Sequence, residues 1–329
     1  MFDLLNLQPN KVSMDISSYN SFVYGNAKVG KSTLAYELFG GEGLFLAFEQ
    51  GYNALSGVMA VDITKWADLI QVNKELKKPE VKDKFKVLII DTVDIMHKYA
   101  LKHVCLKEGV QSLGDIPHGK GYQLVDDLIF DMIKTWENLG YKLFFISHAK
   151  EKSEKLPTGG EIQKYIPSVE RRTLNIVSKF VDNILFGYLS INAEGQEVRT
   201  LYTRETLSYS AGSRFATLPS EIPFDAKIFK EVWKEAVEKE SRLNPDGFTS
   251  AKKDIVKERK VDFNKTMDEI KNLVINVFNK NGRMDLVTDI SEKNLGIGKK
   301  VTECTEKQAD ILEIILEEMK STIEQFKLS

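Results

Sequence analysis

Three apolar runs recur along the first half of the chain. Gly43-Leu44-Phe45-Leu46-Ala47-Phe48 ends in Glu49, Phe85-Lys86-Val87-Leu88-Ile89-Ile90 ends in Asp91, and Tyr141-Lys142-Leu143-Phe144-Phe145-Ile146 ends in Ser147-His148. Runs this short and this continuous suit strands of a parallel sheet buried on both faces. Between the last two, Leu124, Leu128, Ile129, Met132, Ile133 and Trp136 recur at helical spacing, which predicts a helix over 122–139 stopped by Gly140. Beyond position 180, residues 183–189 and 198–203 flank Asn192-Ala193-Glu194-Gly195. This pattern predicts an antiparallel hairpin that extends the sheet.

The pattern changes again near the C-terminus. Asn244-Pro245-Asp246-Gly247 and a lysine-rich stretch predict an exposed linker over 239–260. Phe263, Met267, Ile270, Val274, Val277 and Phe278 mark the inner face of one further helix. Thr305-Glu306-Lys307-Gln308 predicts a capping box that opens a last helix with Ile311, Ile314, Ile315 and Met319 inside. The expected organisation is an α/β core over 1–238, a linker over 239–260 and a small helical unit over 261–329.

The residues between the first predicted strand and helix carry the chemistry. Gly25-Asn26-Ala27-Lys28-Val29-Gly30-Lys31-Ser32 reads G-x-x-x-x-G-K-S, after the apolar Phe22-Val23-Tyr24 and before the helix-forming Thr33–Phe39. This is the phosphate-binding loop in its proper context. Its backbone N–H groups converge on phosphate at the positive end of a helix. Lys31 reaches the β- and γ-oxygens, and Ser32 ligates Mg²⁺. Four apolar residues leading into Asp91 form the matching Walker B strand, so Ser32 and Asp91 are the expected metal ligands and ATP the expected nucleotide.

Thr92 follows Asp91, so this strand brings no second carboxylate. Glu49 ends the neighbouring strand at the edge where ligands bind in parallel sheets, and it is the expected general base, with Asp94 a second candidate. His148 ends the next core strand, placed to sense the γ-phosphate or simply to stand as a satisfied histidine.

Composition narrows the function classes. A chain of 329 residues with 42% hydrophobic content fills a sizeable core, and a net charge of −2 excludes a wholly basic nucleic-acid coat. Cys105 and Cys304 have no metal-ligand spacing and read as free thiols. Met1-Phe2-Asp3-Leu4-Leu5 lacks a basic signal-peptide start and no run approaches a membrane span. The expected location is the cytoplasm, with no membrane partner.

Walker A, Phe48-Glu49-Gln50-Gly51, Walker B and a polar residue ending the fourth strand together resemble the RecA-type core. More closely, Tyr24–Thr33, Ile146-Ser147-His148-Ala149-Lys150 and Ala211-Gly212-Ser213-Arg214-Phe215-Ala216-Thr217-Leu218-Pro219 resemble the phage-encoded, RecA-like AAA-domain proteins, which include single-strand annealing ATPases. The resemblance covers about residues 15 to 235 and implies an ATPase acting on single-stranded DNA in recombination or annealing, in the host cytoplasm. It also implies a ring or filament of identical chains, with a single-strand-binding protein as a further partner. By the same resemblance, the segment after His148 faces DNA through Lys150, Lys152, Lys155, Lys164, Tyr165, Arg171 and Arg172. Interleaved glutamates leave a solvated mixed-charge loop as the alternative. Arg214 resembles a finger reaching a neighbour's γ-phosphate, with Arg204 its rival. A nucleotide-dependent switch acting on a replication or packaging protein, and a P-loop scaffold that scarcely hydrolyses ATP, are the other function classes.

Overall fold

The computed structural model describes residues 5–6, 9–155, 159–192, 194–243, 247–249 and 261–328. Chain contacts divide it into two compact units, Met1–Lys257 and Glu258–Ser329.

The first unit is built on one mixed, mainly parallel sheet. Its strands are β2 (Ser21–Gly25), β3 (Gly43–Ala47), β4 (Ala60–Asp62), β5 (Val87–Asp91), β6 (Lys142–Lys155), β7 (Glu161–Pro167), β8 (Asn183–Ile191), β9 (Glu197–Tyr202), β10 (Gly212–Ser213) and β11 (Glu221–Pro223). They line up β11-β9-β8-β2-β6-β5-β3-β4, with β10 on β8 and β7 on β6. From β8 to β4 every neighbouring pair is parallel. A further pair, β1 (Val12–Ser13) with β12 (Phe248–Thr249), lies apart from this sheet.

The core strands read as continuous apolar runs because both faces are covered. Phe22, Tyr24, Leu143 and Phe145 face α4 (Val93–Glu108), α5 (Lys120–Leu139) and α6 (Arg171–Phe180). Val23, Phe144 and Ile146 alternate onto the opposite face, against α1 (Lys31–Phe39) and α7 (Ala226–Leu243). Alternation within one strand thus feeds two hydrophobic layers.

The predicted helix over 122–139 is α5, which ends at Gly140 with φ 105°. The predicted hairpin is β8–β9, with Tyr188 opposite Thr200. Two expectations are corrected. Residues 239–243 continue α7, and Phe248–Thr249 pairs with Val12–Ser13, so this part of the expected linker is structured within the first unit. Residues 250–260 lie outside the described residues. The segment after His148, expected as a loop, is instead the continuation of β6, paired antiparallel with β7 from Ala149↔Pro167 to Lys155↔Glu161. The lysines and glutamates of 150–155 obscured a strand that has no apolar face.

The second unit packs α8 (Phe263–Leu273), a wide helical turn over Val274–Asn279, α9 (Met284–Leu295) and α10 (Ala309–Phe326). Met267, Ile270, Phe278, Ile290, Leu312, Ile315, Leu316 and Met319 form its core. Ile314, expected inside, is 52% exposed. The buried stripe of α10 runs through Leu312, Ile315, Leu316 and Met319, the i, i+3, i+4, i+7 face that leaves 314 outside.

Candidate nucleotide-binding site

Strand order gathers the site. β6 lies between β2 and β5, so the register sets Gly25 opposite His148, Ile146 opposite Asp91 and Asp91 opposite Ala47. The phosphate loop, Asp91, Glu49 and His148 therefore meet at one edge of the sheet, beyond the ends of the parallel strands.

The loop runs from β2 into α1. A Cβ on Gly25 would sit 2.3 Å from the Gly187 carbonyl oxygen, so no side chain fits there. Gly30 caps α1 with φ 109°, a backbone conformation that favours glycine. Lys31 is buried, and its Nζ donates to the carbonyls of Gly25 at 3.0 Å and Asn26 at 2.9 Å. Burial pulls its pKa down, while Asp91, Glu49 and Asp94 oppose the shift. The ammonium thus rests inside the loop it serves.

Ser32 Oγ donates to Asp91 Oδ2 at 2.6 Å. Burial lifts the Asp91 carboxyl above the usual range, partly offset by that hydrogen bond. A Cβ on residue 51 would fall 3.0 Å from Ser32 Oγ and 3.2 Å from Asp91 Oδ2. Gly51 therefore keeps open the space in front of this oxygen pair. Among the described residues no group of three or more His, Cys, Asp or Glu side chains could hold a metal ion. A hydroxyl and one carboxylate suit Mg²⁺, which keeps most of its shell in water and phosphate oxygens. The residues fit the cation.

Glu49 follows β3, and the N–H groups of Phe48 and Glu49 both donate to the Asp91 carbonyl, at 2.7 and 3.0 Å. This ties the carboxylate to the Walker B strand. Its Oε1 accepts from Thr92 Oγ1 at 2.7 Å, and its Oε2 lies 3.2 Å from His148 Nε2. The His148 hydrogen bond is the main cause holding the Glu49 carboxyl below its ordinary range, and the same bond raises the His148 imidazole. Asp94, the second candidate base, accepts from Ser168 Oγ at the foot of the β6–β7 hairpin, and is engaged there.

Thr92, Gly51 and Ser168 are the site residues that sequence reasoning passed over. Thr92 was legible only as the absence of a second acid, and Gly51 only as part of a quoted motif.

The remaining expected residues fall elsewhere. Lys150, Lys152, Lys155, Lys164 and Tyr165 stand on the β6–β7 hairpin. Lys152 pairs with Glu154 and Lys164 with Glu205, while Lys150 donates to the Ser168 carbonyl. Arg172 pairs with Asp126. Lys155 and Arg171 are exposed, with no ion pair among the described residues. The Tyr165 ring stacks on Phe186, 5.4 Å between centroids, and leans on Tyr188. That packing covers one face of the ring.

Arg214 follows β10, which pairs with Asn183 and Ile184 at the start of β8, whereas the phosphate loop lies at the strand ends. Arg214 is paired with Asp182 at 3.0 Å and stands outside its own chain's nucleotide site. Arg204 donates to the carbonyls of Thr203, Ser213, Phe215, Ala216 and Leu218, so its fork is spent holding that loop. Cys105 and Cys304 are free thiols. No helix among the described residues is long and apolar enough to cross a membrane.

Comparison with known proteins agrees with this geometry. A family model described as AAA domain matches residues 17–215. The SPbeta prophage-derived uncharacterized protein YorG of Bacillus subtilis (strain 168) is 30% identical over 333 residues, covering 98% of this chain and 98% of that protein. With a Walker A loop, a Walker B aspartate and this match over most of the first unit, the chain belongs to the AAA-domain family of P-loop NTPases.

Proposed function

We propose that this chain hydrolyses ATP with Mg²⁺ and couples hydrolysis to single-stranded DNA in phage recombination or annealing. One observation carries the hydrolytic reading. The Glu49 carboxylate is held between Thr92 Oγ1 and His148 Nε2, beside the Ser32–Asp91 pair. Within the loop of residues 25–33, the N–H groups of about residues 27 to 32 and the Lys31 ammonium grip the phosphates. Ser32 and Asp91 would hold the cation, which would supply positive charge to offset that of the phosphates. Glu49 takes a proton from water as the water oxygen bonds to the γ-phosphorus. The bond from that phosphorus to the bridging oxygen breaks, and ADP departs with the electron pair.

Coupling runs through His148. Its side chain touches Glu49, while its carbonyl accepts the Ser168 N–H at 2.8 Å where the hairpin returns to the core. The hairpin carries Lys150, Lys152, Lys155 and Lys164, and Arg171 and Arg172 open α6 just beyond it. The prophage origin of the relative supports a phage setting. Assembly into a ring or filament belongs to the same reading, with a single-strand-binding protein as further partner. Within it, Arg214 acts only on a neighbouring copy.

A switch acting on a replication or packaging protein is the second reading. It is favoured by the carboxylate partners that Lys152, Lys164 and Arg172 already have. Binding of single-stranded DNA across a salt series, with ATP and Mg²⁺, separates the two. The DNA reading expects affinity to fall by about 0.7 log units per log unit of salt for each phosphate contacted. Lys155→Ala with Arg171→Ala should flatten that slope. Absence of binding at low salt rejects DNA as the target and leaves the protein switch.

A further inference from the structure

The sheet is longer than the parallel core requires, and the added ribbon β9–β11 comes back to the phosphate loop. Pro223 stands opposite Thr200, and the Phe224 N–H donates to the Arg199 carbonyl at 3.0 Å. This pairing sets Arg199 and Phe224 side by side. A Cβ built on Gly30 would lie 3.4 Å from Arg199 Nη1 and 3.4 Å from Phe224 Cε1. The Phe224 ring also lies against Gly187, where a Cβ would meet it at 2.3 Å. Gly187 is the register partner of Gly25, the first residue of the loop.

Direction along the strand places the guanidinium. Leu201, two residues on, is buried in the layer that holds Leu34 and Leu38 of α1, so Arg199 is on the α1 side of the sheet. β9 runs against β8, so Arg199 is nearer the strand-end edge than Leu201. Its side chain therefore stands beside the N-terminus of α1, at the phosphate end of the site. Arg199 is exposed, and among the described residues no carboxylate or carbonyl pairs with its guanidinium. Arg172, Arg204 and Arg214 all have such partners. A guanidinium is charged at every working pH, and its planar fork matches two phosphate oxygens. Phe224, wedged on Gly187, stiffens the strand end that presents it.

We infer that Arg199 is a further phosphate ligand of this nucleotide site, donating in cis to the phosphate chain of a bound nucleoside di- or triphosphate. The inference rests on the P-loop reading of the site. It adds a cation outside the Walker motifs, on the flank of the loop opposite to Asp91 and Glu49. Arg199 does no bond-making, and its role is to hold the phosphates against the loop.

The test is equilibrium binding of fluorescent ATP and ADP analogues to the full chain, with Lys31→Ala as the control for the P-loop. Arg199→Ala and Arg199→Gln should each weaken both nucleotides by about 10-fold or more, the scale of a charge-assisted hydrogen bond. Gln keeps much of the stem and removes the charge, so a loss confined to the Ala variant would mean packing and overturn the inference. Thermal melting without nucleotide should be unchanged, as expected of an exposed and unpaired side chain. Wild-type affinity in both Arg199 variants, with binding lost in Lys31→Ala, overturns the role of Arg199 and leaves the P-loop reading intact. Wild-type affinity in Lys31→Ala takes down both.

Discussion

Gly51→Ala is a one-carbon test of where the cation sits. The added Cβ would lie 3.0 Å from Ser32 Oγ and 3.2 Å from Asp91 Oδ2, against an ordinary contact limit of 3.4 Å. The hydroxyl must retreat by about 0.4 Å and the carboxylate by about 0.2 Å, or the Cβ must occupy the cradle they form. Mg²⁺ demands near-ideal octahedral geometry at about 2.0–2.1 Å, so a displacement of that size is a large fraction of its tolerance. Disturbing the surroundings of metal ligands costs about 10–100-fold in metal affinity. The Mg²⁺ concentration for half-maximal ATP turnover should rise by about 10-fold or more. Ca²⁺, held at about 2.3–2.6 Å in irregular shells, should support nucleotide binding nearly as well in the variant as in the wild type. An unchanged Mg²⁺ titration, in a folded and active variant, would refute Ser32 and Asp91 as the residues that would hold the cation.

Two further outcomes follow from the Glu49 cluster. Glu49→Gln should keep ATP affinity and lower turnover by about 10²-fold or more, the scale of a lost general base, and wild-type turnover in single-turnover assays would sink that role. His148→Ala removes the main cause of the depressed Glu49 pKa, so the acid limb of the kcat–pH profile should move to higher pH. Stability gives a second readout of the same pair. Glu49, lowered from 4.5, contributes above that pH and loses its contribution as pH falls through the folded value. His148, raised from 6.5, contributes fully below that pH and loses its contribution as pH rises through the folded value. The stability gap between wild type and His148→Ala should therefore be widest between pH 4.5 and 6.5. Side-chain exposures of 36% and 34% let solvent screen the pair, which keeps the gap at about 0.2–1 kcal/mol. An acid limb at the same pH in both proteins would count against the coupling.

The parts of the site on the parallel strands were legible in the sequence because each signal is local. A glycine loop between strand and helix, and apolar runs ending in Glu49, Asp91 and His148, need only a few consecutive residues to be seen. Their convergence also follows from the parallel fold, since consecutive strand ends share one edge. The residues that were missed depend on register instead. Thr92 matters because Glu49 stands beside it, and Arg199 because the foreseen β8–β9 hairpin docks through β8 on the phosphate-loop strand β2, a pairing no local pattern encodes. The hairpin over 142–167 was hidden for another reason. Lys150 to Lys155 alternate charges on both faces, so neither side offers the apolar stripe by which a strand is recognised. The ion pairs of Lys164 with Glu205 and Arg172 with Asp126 join residues 41 and 46 positions apart, which no count of local charge reveals.

β6 is a single unbroken strand from Lys142 to Lys155, buried from Leu143 to Ser147 and, among the described residues, paired with β7 alone beyond His148. The wall of the nucleotide site and the outlying arm are thus one piece of backbone. Seven residues separate His148 from Lys155, which at about 3.3 Å each is a reach of roughly 23 Å. The arm begins at His148, the residue that touches Glu49. A tilt of about 5° there sweeps the far end through roughly 2 Å, more than half the length of a hydrogen bond. Tyr24, on the phosphate-loop strand, steadies the return arm through its hydroxyl, which lies 3.1 Å from the Tyr165 carbonyl and 2.5 Å from that of Ser210. Under the proposed coupling, a small change at the phosphates would be enlarged at the far end of this strand.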